Sequence, residues 1–340
     1  MANSMILGCA GPEITEEEIF FFHDAQPWGF ILFARNIVDA EQLRHLTADL
    51  RDAVGRKAPI FIDQEGGRVS RLLPPLASEW EDARVFLGHF PDLASKCEAM
   101  RLRYRLIASE LMALGIDGNC APIVDLLQPD THDIVKDRCY GYEYEEVAAI
   151  GRAVADGLFA GGVLPVLKHI PGHGRADVDS HKELPIVDTD VATLEGTDFA
   201  AFRELSDLPI AMTAHVRFTA IDETRCATHS SDVIDAIRNE IGFDGLLMTD
   251  DLSMKALRGP MVKRAAAAFK AGCDIALHCN GDMKDMRAVL RSSPVLSGAS
   301  LRRAEDALAV RQAPDEFDAE AALARIEDLK KGAAHAGGSV

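Results

Sequence analysis

Three observations predict an α/β chain folded as one closed (β/α)8 barrel of the TIM type. Eight short apolar runs are spaced along the sequence, a segment with helical patterning follows each, and each run ends in polar, chemistry-bearing residues. The runs are Met5–Ala10, Gly29–Ala34, Pro59–Gln64, Asp117–Leu126, Val163–Ile170, Leu208–Val216, Gly245–Asp251 and Asp274–Asn280. Their apolar character is continuous rather than alternating, as in parallel strands covered on both faces. Eight such units in about 280 residues suit one barrel. A doubly wound open sheet is the alternative. It fits less well, because no GxGxxG opens the first unit and polar strand ends occur all along the chain.

The segments between the runs justify the helices in turn. Thr15-Glu16-Glu17-Glu18 opens one as a capping box, with acids in the first turn. Asp39–Val54, Leu93–Leu114, Glu143–Ala160, Ala192–Leu205, Ser231–Ile241 and Pro260–Ala271 supply the others, and Gly161-Gly162, Gly242 and Gly272 stand where helices stop. The long connection Glu65–Pro91 reads as a lid or pocket wall. Ser300–Lys331 reads as two closing helices. The expected organisation is therefore one barrel domain over residues 1–331, with 332–340 as a disordered tail.

Bulk properties bound the function. A formal net charge of −18 argues against a nucleic-acid partner, which would need clustered basic residues. No stretch reaches the roughly 18 apolar residues of a membrane span, and the N-terminus lacks a charged start and a sustained apolar core. The 7 cysteines are dispersed without a CxxC pair, the pattern of reduced thiols in a cytoplasmic protein.

Barrel chemistry gathers at the C-terminal ends of the strands, which makes a list from sequence alone. Strand two ends in Arg35-Asn36, strand three in Asp63-Gln64-Glu65-Gly66-Gly67-Arg68 with Arg71 behind, and strand four at Asp125. Strand five ends at Lys168-His169, strand six at His215, strand seven at Asp250-Asp251, and strand eight at His278 and Asn280. A carboxylate such as Asp250, placed after an apolar strand, can serve as nucleophile, base or metal ligand. The competing reading is a helix N-cap, and the doubled aspartate lets one cap while the other reacts. In Asp179-Ser180-His181 an acid can bond the imidazole, fix its tautomer and raise its basicity. Asp63, Arg71, Arg138 and Lys168 suit the hydroxyls and acidic group of a ligand. His169 and His173 form an HxxxH pair, but Pro171 and Gly172 between them oppose a zinc-binding helix. A metal site completed by His215 and His278 is a further alternative.

Several motifs together resemble glycoside hydrolase family three, in particular its bacterial single-domain β-N-acetylhexosaminidases of peptidoglycan recycling. They are Lys168–Gly174 with Asp179-Ser180-His181, Ile62–Val69 with Arg71, Ala121–Asp125, Asp137-Arg138, Met212–His215, Thr249–Met254 and Ala271–Asp274. The likeness runs from about Gly29 to Asn280. It implies a retaining hydrolysis with Asp250 as nucleophile and His181 as general acid, then base, tuned by Asp179. Asp63, Arg71, Arg138, Lys168 and His169 would grip the sugar, and Asp251 would be structural. It implies no metal and no organic cofactor. The implied substrate is a 1,6-anhydromuropeptide carrying a non-reducing N-acetylglucosamine, a small saccharide met in the cytoplasm. Larger family members carry a second domain that supplies the acid; this chain has the histidine motif instead. A phosphorylase is the alternative, because a histidine acid adds no negative charge to repel phosphate.

Overall fold

The computed structural model describes residues 2–176, 178–180 and 182–336. The strands of the main sheet are β1 (Asn3–Leu7), β2 (Pro27–Leu32), β3 (Ile60–Ile62), β4 (Gly118–Asn119), β5 (Leu164–Pro165) and β6 (Leu167–Ile170). A small pair, β7 (Ile186–Val187) and β9 (Arg217–Phe218), flanks β8 (Ile210–Thr213), and β10 (Leu246–Asp251) and β11 (Ile275–His278) complete the set. The sheet order is β5-β4-β3-β2-β1-β11-β10-β8-β6, and every pairing in it is parallel. Its two ends, β5 and β6, are halves of one stretch divided at Val166. The sheet therefore closes on itself with eight staves, each overlapping one of the eight apolar runs, although β1 and β2 begin two residues ahead of theirs.

Side chains along each stave alternate between two cores. Ile6, Ile31, Phe61, Leu164, Ile210, Met212, Leu246, Met248, Ile275 and Leu277 fill the barrel interior. Their neighbours Met5, Leu7, Phe30, Leu32, Ile60, Ile62, Ala211, Leu247 and Ala276 pack outward against the helices. Both faces are apolar because both are covered. Leu296, Ala304 and Ala307 join the interior cluster, so the helix Gly298–Ala309 plugs the N-terminal end of the barrel. Asp274 fastens that end: its carboxylate accepts from Arg238 Nη2 at 2.7 Å, the Leu247 amide at 3.0 Å and Arg303 Nη1 at 3.2 Å.

Most helices follow their local signals. Thr15 and Glu18 make the reciprocal capping box at Glu16–Ala25, Asp39 caps Ala40–Val54, and Gly272 ends Met261–Ala271 in the left-handed region at φ 116°. One expected helix is not continuous. The single helix over Ala192–Leu205 is two short ones, Val191–Gly196 and Asp198–Arg203, broken at Thr197. The break places Thr197 and the buried Asp198 against Arg175, which donates to Asp198 Oδ2 at 2.6 Å and Thr197 Oγ1 at 3.0 Å. Short helices at Ala83–Leu87, Asp133–Lys136 and Met283–Leu290 are additional. The last helix runs over Ala319–Ala336 rather than ending at Lys331, so the part of the expected tail up to Ala336 is helical. Among the described residues no helix is long and apolar enough to cross a membrane.

Candidate active site

The inward phase of each stave carries past its apolar residues to its polar end. Phe61 leads to Asp63, Val166 to Lys168, Met248 to Asp250 and Leu277 to Cys279, two residues on in each case. These side chains meet at the C-terminal mouth, in a cleft of about 280 Å3. Asp63, Arg71, Arg138, Lys168, His169, Asp250 and Asp251 line it, with Ile31, Phe33, Met212, Met254, Leu277 and Cys279 as an apolar wall. Arg68, Val69 and Arg71 reach it from the long connection after β3, which is therefore a pocket wall. Gln64 shapes that connection: its amide oxygen accepts from the Arg71 amide at 2.9 Å and the Leu72 amide at 3.0 Å.

One charge network forms the floor. Lys168 Nζ donates to Asp63 Oδ1 at 3.1 Å and Glu65 Oε1 at 2.6 Å, and Arg71 Nη2 donates to Asp63 Oδ2 at 3.1 Å. Arg138 grips Glu65 with both forks, Nε to Oε2 and Nη2 to Oε1, each at 2.8 Å. Burial alone would push the Asp63 carboxyl up, but Lys168 and then Arg71 outweigh it and hold it well below the usual range. Burial likewise opposes ionisation of Glu65, and Arg138 followed by Lys168 overcomes it. The floor is thus fully charged and internally paired. Arg138 is 12 % exposed and belongs to this floor.

His169 stands on a second carboxylate. Its Nδ1 lies 2.7 Å from Asp125 Oδ2, and Asp125 Oδ1 accepts the His173 amide at 2.6 Å. Asp250 comes up from β10 partly buried, its Oδ1 accepting from the Asp251 amide at 2.7 Å. Burial favours its neutral form. The His215 and His169 rings and the Asp251 amide outweigh that and keep the carboxyl below its usual range. Asp251 plays a different part. It accepts the Ser253 amide at 3.0 Å and the Cys279 amide at 3.1 Å, tying the turn after β10 to β11. Both aspartates line the cleft, and Asp251 is the one that ties the turn to β11.

The arm after β6 is tied at both ends. At its root Thr131 Oγ1 donates to the Gly174 carbonyl at 2.6 Å; at its exit β7 pairs with β9. Asp179 is buried at 6 % exposure and does not line the cleft. Its carbonyl accepts the Lys182 and Glu183 amides at 2.8 and 3.0 Å. His181, the other half of the expected dyad, lies outside the described residues. His215 is turned away from any ligand set, with Nδ1 2.7 Å from Thr228 Oγ1 and Nε2 3.0 Å from the Asp251 carbonyl. Among the described residues no group of three His, Cys, Asp or Glu side chains could hold a metal.

Glu65 and Asp125 are missing from the candidates drawn from the sequence. Both stood on the list of strand ends, and Glu65 is two residues from Asp63 on the inward phase. Neither touches the cleft directly; each holds a residue that does.

Comparison with known proteins decides the family. The N-terminal domain model of glycosyl hydrolase family 3 matches residues 13–300. The chain belongs to glycosyl hydrolase family 3. A β-hexosaminidase of Alkalilimnicola ehrlichii is 36% identical over 302 residues, covering 86% of this chain and 85% of its own. One from Chromobacterium violaceum is 34% identical over 346 residues, covering 95% and 94%. The crystal structure of NagZ from Neisseria gonorrhoeae in complex with N-trifluoroacetyl-D-glucosamine superposes with a TM-score of 0.83 at 29% identity, covering 97% of this chain and 96% of that one. This family-3 chain is accordingly a glycoside hydrolase of the β-hexosaminidase type on a TIM-type barrel.

Proposed function

We propose that this hydrolase is a retaining β-N-acetylglucosaminidase that removes the non-reducing N-acetylglucosamine from 1,6-anhydromuropeptides in the cytoplasm. The observation that carries the reading is the Asp250 carboxylate at the end of β10, beside a sugar-sized cleft with a paired, charged floor. Asp63, Lys168, Arg71, Arg138 and His169 offer acceptors and donors for ring hydroxyls, and the apolar wall suits the C–H face of a pyranose. In this mechanism Asp250 attacks the anomeric carbon and the aglycone oxygen leaves with a proton from His181. The glycosyl-enzyme is then opened by a water that His181 deprotonates. Asp179 orients His181. A neutral imidazole adds no negative charge beside Asp250 at the covalent stage, and it titrates in the range where a cytoplasmic acid and base must work. Free thiols at all seven cysteines suit a reducing compartment.

The test is release of phenol from an aryl N-acetyl-β-glucosaminide by the wild type and by Asp250→Ala. The variant is expected to lose at least about 1,000-fold in kcat. Proton NMR of the wild-type reaction should show the β-anomer of N-acetylglucosamine first. Equal rates, or first appearance of the α-anomer, would sink the nucleophile assignment. For His181→Ala the expected loss is about 100-fold or more with an alkyl leaving group and under about 10-fold with an activated aryl one. Equal losses on both would remove the acid role. Mass spectrometry of N-acetylglucosaminyl-anhydromuramyl peptides treated with the enzyme tests the natural substrate, and glycosyl phosphate formed in phosphate buffer would mark a phosphorylase instead.

A further inference from the structure

Asp125 is a carboxylate for which the glycosidase chemistry above has no use. It follows β4, is 0 % exposed, and spends both oxygens on the β6 end and the arm beyond it. Oδ2 meets His169 Nδ1 at 2.7 Å; Oδ1 accepts the His169 amide at 3.2 Å and the His173 amide at 2.6 Å. A fully buried carboxylate is costly unless donors surround it, and here three donors come from two residues four positions apart.

We propose that Asp125 is the positioning residue of the sugar site: it dictates which nitrogen of His169 carries the proton and ties that ring to the root of the catalytic arm. The inference rests on the functional reading above for the roles of His169 and the arm. An ionised carboxylate only accepts, so the ring nitrogen facing it must be protonated. Nδ1 is therefore an N–H, and Nε2 is the nitrogen left for the cleft that His169 lines. In the neutral ring Nε2 is an acceptor, and it selects a ligand hydroxyl that donates. This sense complements Lys168, Arg71 and Arg138, which can only donate.

The same carboxylate sets the arm. The His173 amide is pinned by Oδ1, its ring sits edge-to-face with His169 at 5.5 Å, and its Nε2 lies 3.2 Å from Ser180 Oγ. Asp125 thus links the sugar-facing ring to Ser180, next to Asp179, through one continuous chain of contacts. A merely structural aspartate would satisfy the two amides and nothing more, and asparagine could replace it. Asparagine keeps an oxygen for those amides but presents an NH2 to His169 Nδ1. The ring must then protonate on Nε2, which turns the cleft-facing acceptor into a donor.

The experiment is Asp125→Asn in the full-length enzyme. 15N-histidine NMR reads the His169 tautomer, and kcat and KM are measured on an aryl N-acetyl-β-glucosaminide. The wild type should show His169 protonated on Nδ1, and the variant on Nε2 with a fall in kcat/KM of about 10- to 100-fold, mostly in KM. In a His169→Ala background the same change should cost under about 3-fold, because the residue acts through the ring. A wild-type ring protonated on Nε2 alone overturns the proposal without any variant, and so remains decisive if Asp125→Asn fails to fold. An unchanged KM despite a switched tautomer, or an equal loss in both backgrounds, also overturns it. The tautomer measurement needs no substrate, so a failure of the functional reading and a failure of this one are told apart.

Discussion

At the scale of single residues the site is governed by carboxylates that hold cations. Glu65 is 3 % exposed and carries Lys168 and both forks of Arg138. Removing its charge would leave Arg138 without the carboxylate it grips and Lys168 with only Asp63, which Arg71 also holds. Glu65→Gln keeps the shape and is expected to lose about 3 kcal/mol of stability in urea unfolding, with KM raised several-fold more than kcat falls. A variant with wild-type stability and KM would show that the network is incidental. The sequence made Asp63, Lys168 and Arg138 visible because each follows a strand or sits in a recognisable motif. It hid the role of Glu65, whose partner Arg138 lies 73 positions away.

At the scale of elements the arm after β6 is held by burial at its root. Gly172, His173, Gly174, Asp179 and Ser180 are all buried. The glycines serve close approach: a Cβ at Gly174 would fall 1.7 Å from the Leu126 carbonyl oxygen. Gly174→Ala is therefore expected to displace the root of the arm. About 3 kcal/mol of stability should be lost, and kcat should fall at least 10-fold while KM changes less. Thermal unfolding and steady-state kinetics check both, and an unchanged kcat would separate the arm from catalysis. The broken helix at Thr197 has the same cause. Local propensity favours one continuous helix, and the contacts of Arg175 with Thr197 and Asp198 belong to a split one.

At the scale of the whole molecule, buried titratable groups make the fold acid-sensitive. Asp63, Glu65, Asp125 and Asp250 are held below the ordinary carboxylate range despite burial, so their contribution is present above the unfolded values and is lost as pH falls through the folded ones. Burial pushes the His173 and His229 rings from 6.5 down to about 4. Between those values the unfolded chain takes up protons that the folded one refuses, and stability again falls as pH drops. Both effects have one sign. Urea unfolding should show a loss of about 2 kcal/mol or more between pH 7 and pH 4.5, reduced in His173→Asn. A flat profile would contradict the burial of these rings. The opposite end of the barrel, fastened by Asp274 and plugged by Gly298–Ala309, carries stability rather than chemistry.

The sequence by itself determined the barrel, the eight staves, most helix caps and the family, because hydrophobic runs, capping residues and ordered motifs are local. It could not set the phase of the staves. With both faces apolar, nothing in the run Leu246–Met248 says which side turns inward; the packing shows Leu246 and Met248 in the barrel interior and Leu247 against the helices. Only closure of the sheet decided the pairings across 44, 73 and 105 positions that join Asp125 to His169, Glu65 to Arg138 and Asp63 to Lys168. Such contacts depend on where distant strand ends meet, and no local pattern encodes that meeting.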